Sequence, residues 1–111
     1  MQLKHESRDG IDIVRLPERL MMADSADARA QIKDILQQGN GRLILDLTLT
    51  EVLDSSGLAV LVGNLQTARK QGGDIVLIGM GNNVRALFEL TRLHTVFKIF
   101  DDEDTALAAI R

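Results

Sequence analysis

Two short runs constrain this chain more than anything else in it. Leu43-Ile44-Leu45-Asp46-Leu47 starts apolar on both alternations, and Asp74-Ile75-Val76-Leu77-Ile78 follows its aspartate with four apolar residues. Successive side chains of a strand point to opposite faces, so a run of this kind needs cover on both sides. Helices on both faces of a mostly parallel sheet give that cover. The remainder of the chain must therefore supply amphipathic helices between short strands.

The segments around the two runs fit this requirement. Residues 3–7 read as a short polar strand, and Arg8-Asp9-Gly10-Ile11 follows. Asp-Gly between two extended runs is a strong two-residue hairpin signal. Residues 11–16 make the returning strand, with Ile11 and Ile13 on one face, and Pro17 ends it because proline cannot donate to a ladder. Asp24 or Ser25 can cap a first helix through a side-chain oxygen. Ala28, Ile32, Ile35 and Leu36 then recur at helical spacing, and Gly39-Asn40-Gly41 stops the helix through a left-handed glycine cap. Asp54-Ser55-Ser56-Gly57 opens a second helix with Leu58, Leu61, Val62, Leu65 and Ala68 as its apolar stripe, closed by Gly72-Gly73. Residues 79–82 lead to a third helix with Val84, Leu87 and Phe88 inward, and residues 96–100 form a last strand. Asp101, Asp102, Glu103 and Asp104 cap a terminal helix carrying Ala106, Leu107 and Ile110, since acids suit the positive end of a helix dipole. The order is β-β-α-β-α-β-α-β-α: an α/β class, one domain over residues 1–111, with a mixed, mostly parallel sheet and helices packed on it.

Composition removes whole classes of function. The chain has 111 residues and no cysteine, so it has no disulfide framework, thiolate zinc site or thiol nucleophile. Lysine plus arginine number 13 against 16 aspartate plus glutamate, with no Trp or Tyr and three Phe. A nucleic-acid binder shows a basic patch, often with aromatic platforms, and here Arg85, Arg92 and Lys98 are dispersed among acids. No apolar run approaches the length of a membrane span, and residues 1–10 are too polar for a signal peptide. The expectation is a cytoplasmic protein with no direct membrane insertion, no nucleic-acid partner and no cofactor. His5 and His94 are far apart and lack helical partners, so they do not compose a metal site.

The chemistry-bearing candidate is Asp54-Ser55-Ser56-Gly57-Leu58, after a buried strand and at the mouth of a helix. The first N–H groups of a helix lack internal partners and carry partial positive charge, so a phosphate is well received there. A hydroxyl at such a place suits phosphorylation, and Gly57 would let a protein partner approach the backbone. The same residues also read as ordinary capping chemistry. Two rivals lack their parts. A hydrolytic serine needs Gly-x-Ser-x-Gly, a base and an oxyanion hole, and no histidine is suitably placed. A receiver-type aspartyl acceptor at Asp46 wants an acidic pair near residues 17–23, where only Glu18 stands, and the hairpin contradicts its strand order. Asp46 reads instead as a strand-end residue bonding nearby backbone.

Residues 43–100 resemble the STAS domain of bacterial anti-sigma factor antagonists. The resemblance is carried by Leu45-Asp46-Leu47, by Leu53-Asp54-Ser55-Ser56-Gly57-Leu58, by Gln71-Gly72-Gly73-Asp74-Ile75-Val76-Leu77 and by the segment from Asn83 to Leu93. It implies the hairpin-first fold read above and a protein–protein switch in place of an enzyme. By position, Ser56 is the phosphoacceptor of an anti-sigma factor that is also a serine kinase of the histidine-kinase-like ATPase type. The unphosphorylated form binds that partner and frees a sigma factor; the phosphorylated form lets go, and a PP2C-type phosphatase restores it. Asp54 and Ser55 would shape the turn, and Gly57 and Leu58 would lie near the docked partner. Met21 and Asp24 belong to the same expected face. Met21 stands where many members have an aspartate, in Glu18-Arg19-Leu20-Met21, and Thr91-Arg92-Leu93 stands for a frequent Ser-Gly-Leu. Met21 and Met22 read as core filler or as a soft contact surface. The alternative is a STAS module without phosphorylation, serving as a ligand sensor or as a small subunit of a membrane transport assembly, with the Ser56 hydroxyl as a cap.

Overall fold

The computed structural model describes residues 2–111. The hairpin comes first: β1 (Lys4–Arg8) and β2 (Ile11–Arg15) pair antiparallel around Asp9 and Gly10. Both turn residues have positive φ, 55° and 79°, the conformation that a two-residue turn needs to match strand twist. The Asn40 side-chain amide donates to the Gly10 carbonyl and fastens the turn to the end of the first helix. Pro17 follows the strand, as expected.

The chain continues through β3 (Arg19–Leu20), α1 (Met22–Gln38), β4 (Arg42–Asp46), β5 (Val52–Leu53), α2 (Ser55–Lys70), β6 (Asp74–Ile78), α3 (Asn82–Leu90), β7 (Lys98–Phe100) and α4 (Glu103–Ile110). The main sheet has the order β1-β2-β4-β6-β7, parallel everywhere except at β1. Its register sorts the apolar residues into two layers. Ile13, Ile44 and Val76 lie side by side on one face; Val14, Leu45 and Leu77 do so on the other. The second face carries the larger core, closed by Ala28, Ile32 and Leu36 of α1, by Leu58, Leu61 and Leu65 of α2, and by Val84 and Phe88 of α3. The first face is covered by α4 alone, through Ala106, Leu107 and Ile110. The two runs that require double cover thus receive it.

Five local features depart from the sequence reading. β3 and β5 form a separate parallel ladder of two residues each, too short to leave a periodic signal. Asp24 and Ser25 do not cap α1: the helix starts at Met22, with Met21 extended before it, and the Ser25 hydroxyl donates to the Met22 carbonyl. Gly39 is extended, and the left-handed residue of that turn is Gly41. The segment before β7 is a short 3-10 turn over Leu93–Thr95, so the last strand begins at Lys98. On α2 the buried surface is wider than one stripe, with Val60 and Asn64 enclosed as well and Val62 half-buried, because the helix is covered by both the sheet and α1.

Candidate functional site

The site is built where β3 and β5 hand the chain to α1 and α2. Leu20 and Leu53 are register partners, so the two helices start beside each other. Asp54 occupies the last extended position before α2. Its Oδ1 accepts from the Gly57 N–H at 2.9 Å, which caps α2. Its Oδ2 accepts from the Met22 N–H, also at 2.9 Å, and so satisfies an orphan donor at the start of α1. One carboxylate therefore closes two helix N-termini. These amides, the Gly57 N–H foremost, hold the Asp54 carboxyl below its ordinary range, against a smaller opposing effect of partial desolvation. The cap that α1 lacks in its own sequence comes from a residue 32 positions away.

Gly57 explains how α2 can start so close to β3. A Cβ there would sit 2.4 Å from the Leu20 carbonyl oxygen and 3.1 Å from the Leu53 side chain. The open side of Gly57 is thus filled by the chain's own backbone, and not by a docking partner as the sequence suggested. Leu58 also points inward, into the larger core. The remaining expected residues stay accessible: Ser55 is exposed, while Met21, Asp24, Asp54 and Ser56 are half-buried. Met22 was readable as core filler, yet it is 71% exposed at the start of α1. Among the described residues the Ser55 and Ser56 hydroxyls have no hydrogen-bond partner, since Asp54 takes the capping role.

The other polar candidates are occupied elsewhere. Asp46 accepts from the Thr48 N–H at 2.9 Å and from the Arg15 guanidinium at 2.6 Å. Burial would raise its carboxyl, but the Thr48 hydroxyl and amide and Arg15 together hold it below the usual range. His5 Nε2 lies 2.8 Å from Asp12, and His94 Nδ1 lies 3.3 Å from the Phe88 carbonyl. Among the described residues no group of three or more His, Cys, Asp or Glu could hold a metal ion, and no helix is long and apolar enough to cross a membrane. A polar cleft of about 370 Å³ runs between residues 48–51 and the start of α3, lined by Thr48, Thr50, Glu51, Asn82 and Asn83 among others.

The family model described as the STAS domain matches residues 2–106. The anti-sigma F factor antagonist of Paenibacillus polymyxa is 28% identical over 111 residues, covering 99% of this chain and 95% of that protein. The anti-sigma-B factor antagonist of Listeria monocytogenes is 32% identical over 101 residues, covering 89% of this chain and 86% of its own. In fold, the chain is similar to the Bacillus cell fate determinant SpoIIAA in its phosphorylated form, with a TM-score of 0.76 at 21% identity over 99% of this chain and 100% of that one. The chain belongs to the STAS domain family, with relatives named anti-sigma factor antagonists.

Proposed function

We propose that this protein is an anti-sigma factor antagonist whose partner binding is switched by phosphorylation of Ser56. The observation that carries the reading is the division of labour at the start of α2. Asp54 caps the helix, which leaves the Ser56 hydroxyl unengaged at a half-buried but accessible position. Serine as a plain cap, the reading attached to a non-phosphorylated module, is thereby disfavoured.

In the proposed cycle the Ser56 oxygen attacks the γ-phosphorus of ATP held by the partner kinase. ADP leaves, and the serine proton passes to a base on the kinase. This chain supplies the acceptor and its positioning and performs no catalysis itself. The product adds nearly two negative charges at neutral pH, within one helical turn of the Asp54 carboxylate. The helix dipole favours that phosphate, while a partner surface built for the neutral serine is repelled. The partner is an anti-sigma factor and serine kinase of the histidine-kinase-like ATPase type, and a PP2C-type phosphatase hydrolyses the phosphoserine to reset the switch.

The test is incubation of the purified chain with its cognate kinase and ATP, followed by mapping through mass spectrometry. Phosphate on Ser56 alone is expected. Ser56→Asp should weaken kinase binding and Ser56→Ala should keep it, because only the former adds charge. Phosphate on Ser55, none at all, or equal binding by both variants would overturn the proposal in favour of a non-switching STAS module.

A further inference from the structure

The starts of α1 and α2 are stitched together by Asp54, and the two helices stay in step beyond that point. Seven residues after Met22, the Arg29 guanidinium lies across Gly63, which is itself seven residues after Ser56. A Cβ on Gly63 would meet Arg29 at 3.7–3.8 Å. Contacts at both places mean that α1 and α2 run side by side in the same direction and in register. With 3.6 residues per turn, positions three, four and seven apart share a face. Met22, Ala26 and Arg29 therefore align along α1, and Ser56, Ala59 and Gly63 align beside them along α2. Met22, Ala26, Arg29 and Ala59 are exposed.

This seam is electrically polarised. The Asp54 carboxylate stands at its start, and the Arg29 guanidinium stands about 10 Å further along. Lys33, one turn beyond Arg29, adds a second exposed cation. Five other arginines, Arg8, Arg15, Arg69, Arg85 and Arg111, each meet a carboxylate, and Arg42, unpaired among the described residues, lies at the opposite end of the sheet from Ser56. Among the described residues Arg29 has no such partner, although its side chain is laid over Gly63 with its planar fork available.

We propose that Arg29 is a specificity-determining residue of the partner-binding face, pairing with a carboxylate of the anti-sigma factor when that partner lies along the α1–α2 seam with Ser56 at its end. The partner's contacting element then carries an acidic side chain about two helical turns from the point that reaches Ser56, and an apolar group opposite Met22. The inference rests on the Ser56 reading and adds to it the residue that selects the partner.

Binding of the cognate anti-sigma factor kinase to wild type, Arg29→Glu, Arg29→Lys and Arg42→Glu tests it, with phosphorylation kinetics measured on the same set. Arg42 is exposed at the opposite end of the sheet and controls for net charge. Arg29→Glu should raise Kd by about tenfold or more, with Arg29→Lys within about threefold of wild type and Arg42→Glu within about twofold, as expected for a paired charge against an unpaired one. KM for Ser56 phosphorylation should rise while kcat at saturation stays unchanged. An acid-to-arginine change in the kinase that restores the Arg29→Glu variant would identify the paired carboxylate. Equal binding by Arg29→Glu and Arg42→Glu, with Ser56→Asp still impaired, overturns the inference and leaves the switch intact. Failure of the wild type to bind overturns both.

Discussion

At the residue scale the site depends on two side-chain choices, one present and one absent. Asp54 is an aspartate because a short carboxylate can accept from both helix starts at once; an asparagine offers one acceptor oxygen and a donor that neither amide can use. Gly57 is a glycine because the Leu20 carbonyl leaves no space for a Cβ. The obstacle is backbone, which cannot swing aside as a flexible side chain would. Gly57→Ala should destabilise the fold by about 1–3 kcal/mol, the usual range for an overpacked position. Urea denaturation checks this, and an unchanged midpoint would refute the account of Gly57. The same residue separates the two readings of the motif: sequence assigns the glycine to a partner, whereas the structure assigns it to β3.

At the scale of elements the two faces of the sheet are unequally defended. Three helices cover one face and an eight-residue helix covers the other. An ion network joins α4 to the hairpin: Arg8 meets Glu103 and Asp104, Arg15 meets Asp46, Glu6 and Glu103, and Arg111 meets Asp9. Most of these groups are substantially exposed, and exposed pairs contribute little. Burial of Ala106, Leu107 and Ile110 must hold the helix down. Leu107→Ala should therefore cost about 2–5 kcal/mol, while Arg8→Ala changes stability little. Chemical denaturation of both variants distinguishes the cases, and a larger loss for the arginine variant would show that the ion network anchors α4.

For the molecule as a whole, the carboxyl groups set its response to acid. Asp54, Asp46 and Asp102 all sit below their ordinary range in the folded chain. For Asp102 the main cause is the Thr105 N–H that its side chain caps. A carboxyl whose folded value is depressed stabilises the native state fully above its unfolded value of about 4, and that contribution is lost as pH falls through the lower folded value. The thermal midpoint should accordingly hold from neutral pH down to about pH 5 and drop below about pH 4. Asp54→Asn should start from a lower midpoint at neutral pH and show a shallower fall in acid, because the amide has no proton to gain. Calorimetric scans at pH 7, 5 and 3 (round values spanning the carboxylate range) check both statements; an undiminished acid slope in the variant would mean that Asp54 does not contribute to it.

Much of this architecture could be read along the chain. Asp9-Gly10 signals its hairpin locally, because only a few residue pairs accept two left-handed positions. The doubly apolar runs at β4 and β6 require cover on both faces, and periodicity alone locates the helices that give it. Asp54 also reads as the cap of α2, since that bond spans three residues. What the chain could not disclose is whatever depends on residues distant in sequence. The second bond of Asp54, to Met22, crosses 32 residues, so α1 was given a local cap at Asp24 or Ser25 that it does not use. The β3–β5 ladder, the carbonyl that fills the open side of Gly57, and the arginine lying over Gly63 likewise exist only once the helices stand side by side. Sequence by itself determined the five strands of the main sheet, the four helices and the motif, because hydrogen bonds and periodicity within a few residues are encoded locally. Tertiary structure alone decided which side of the motif faces outward, because that depends on what packs against it.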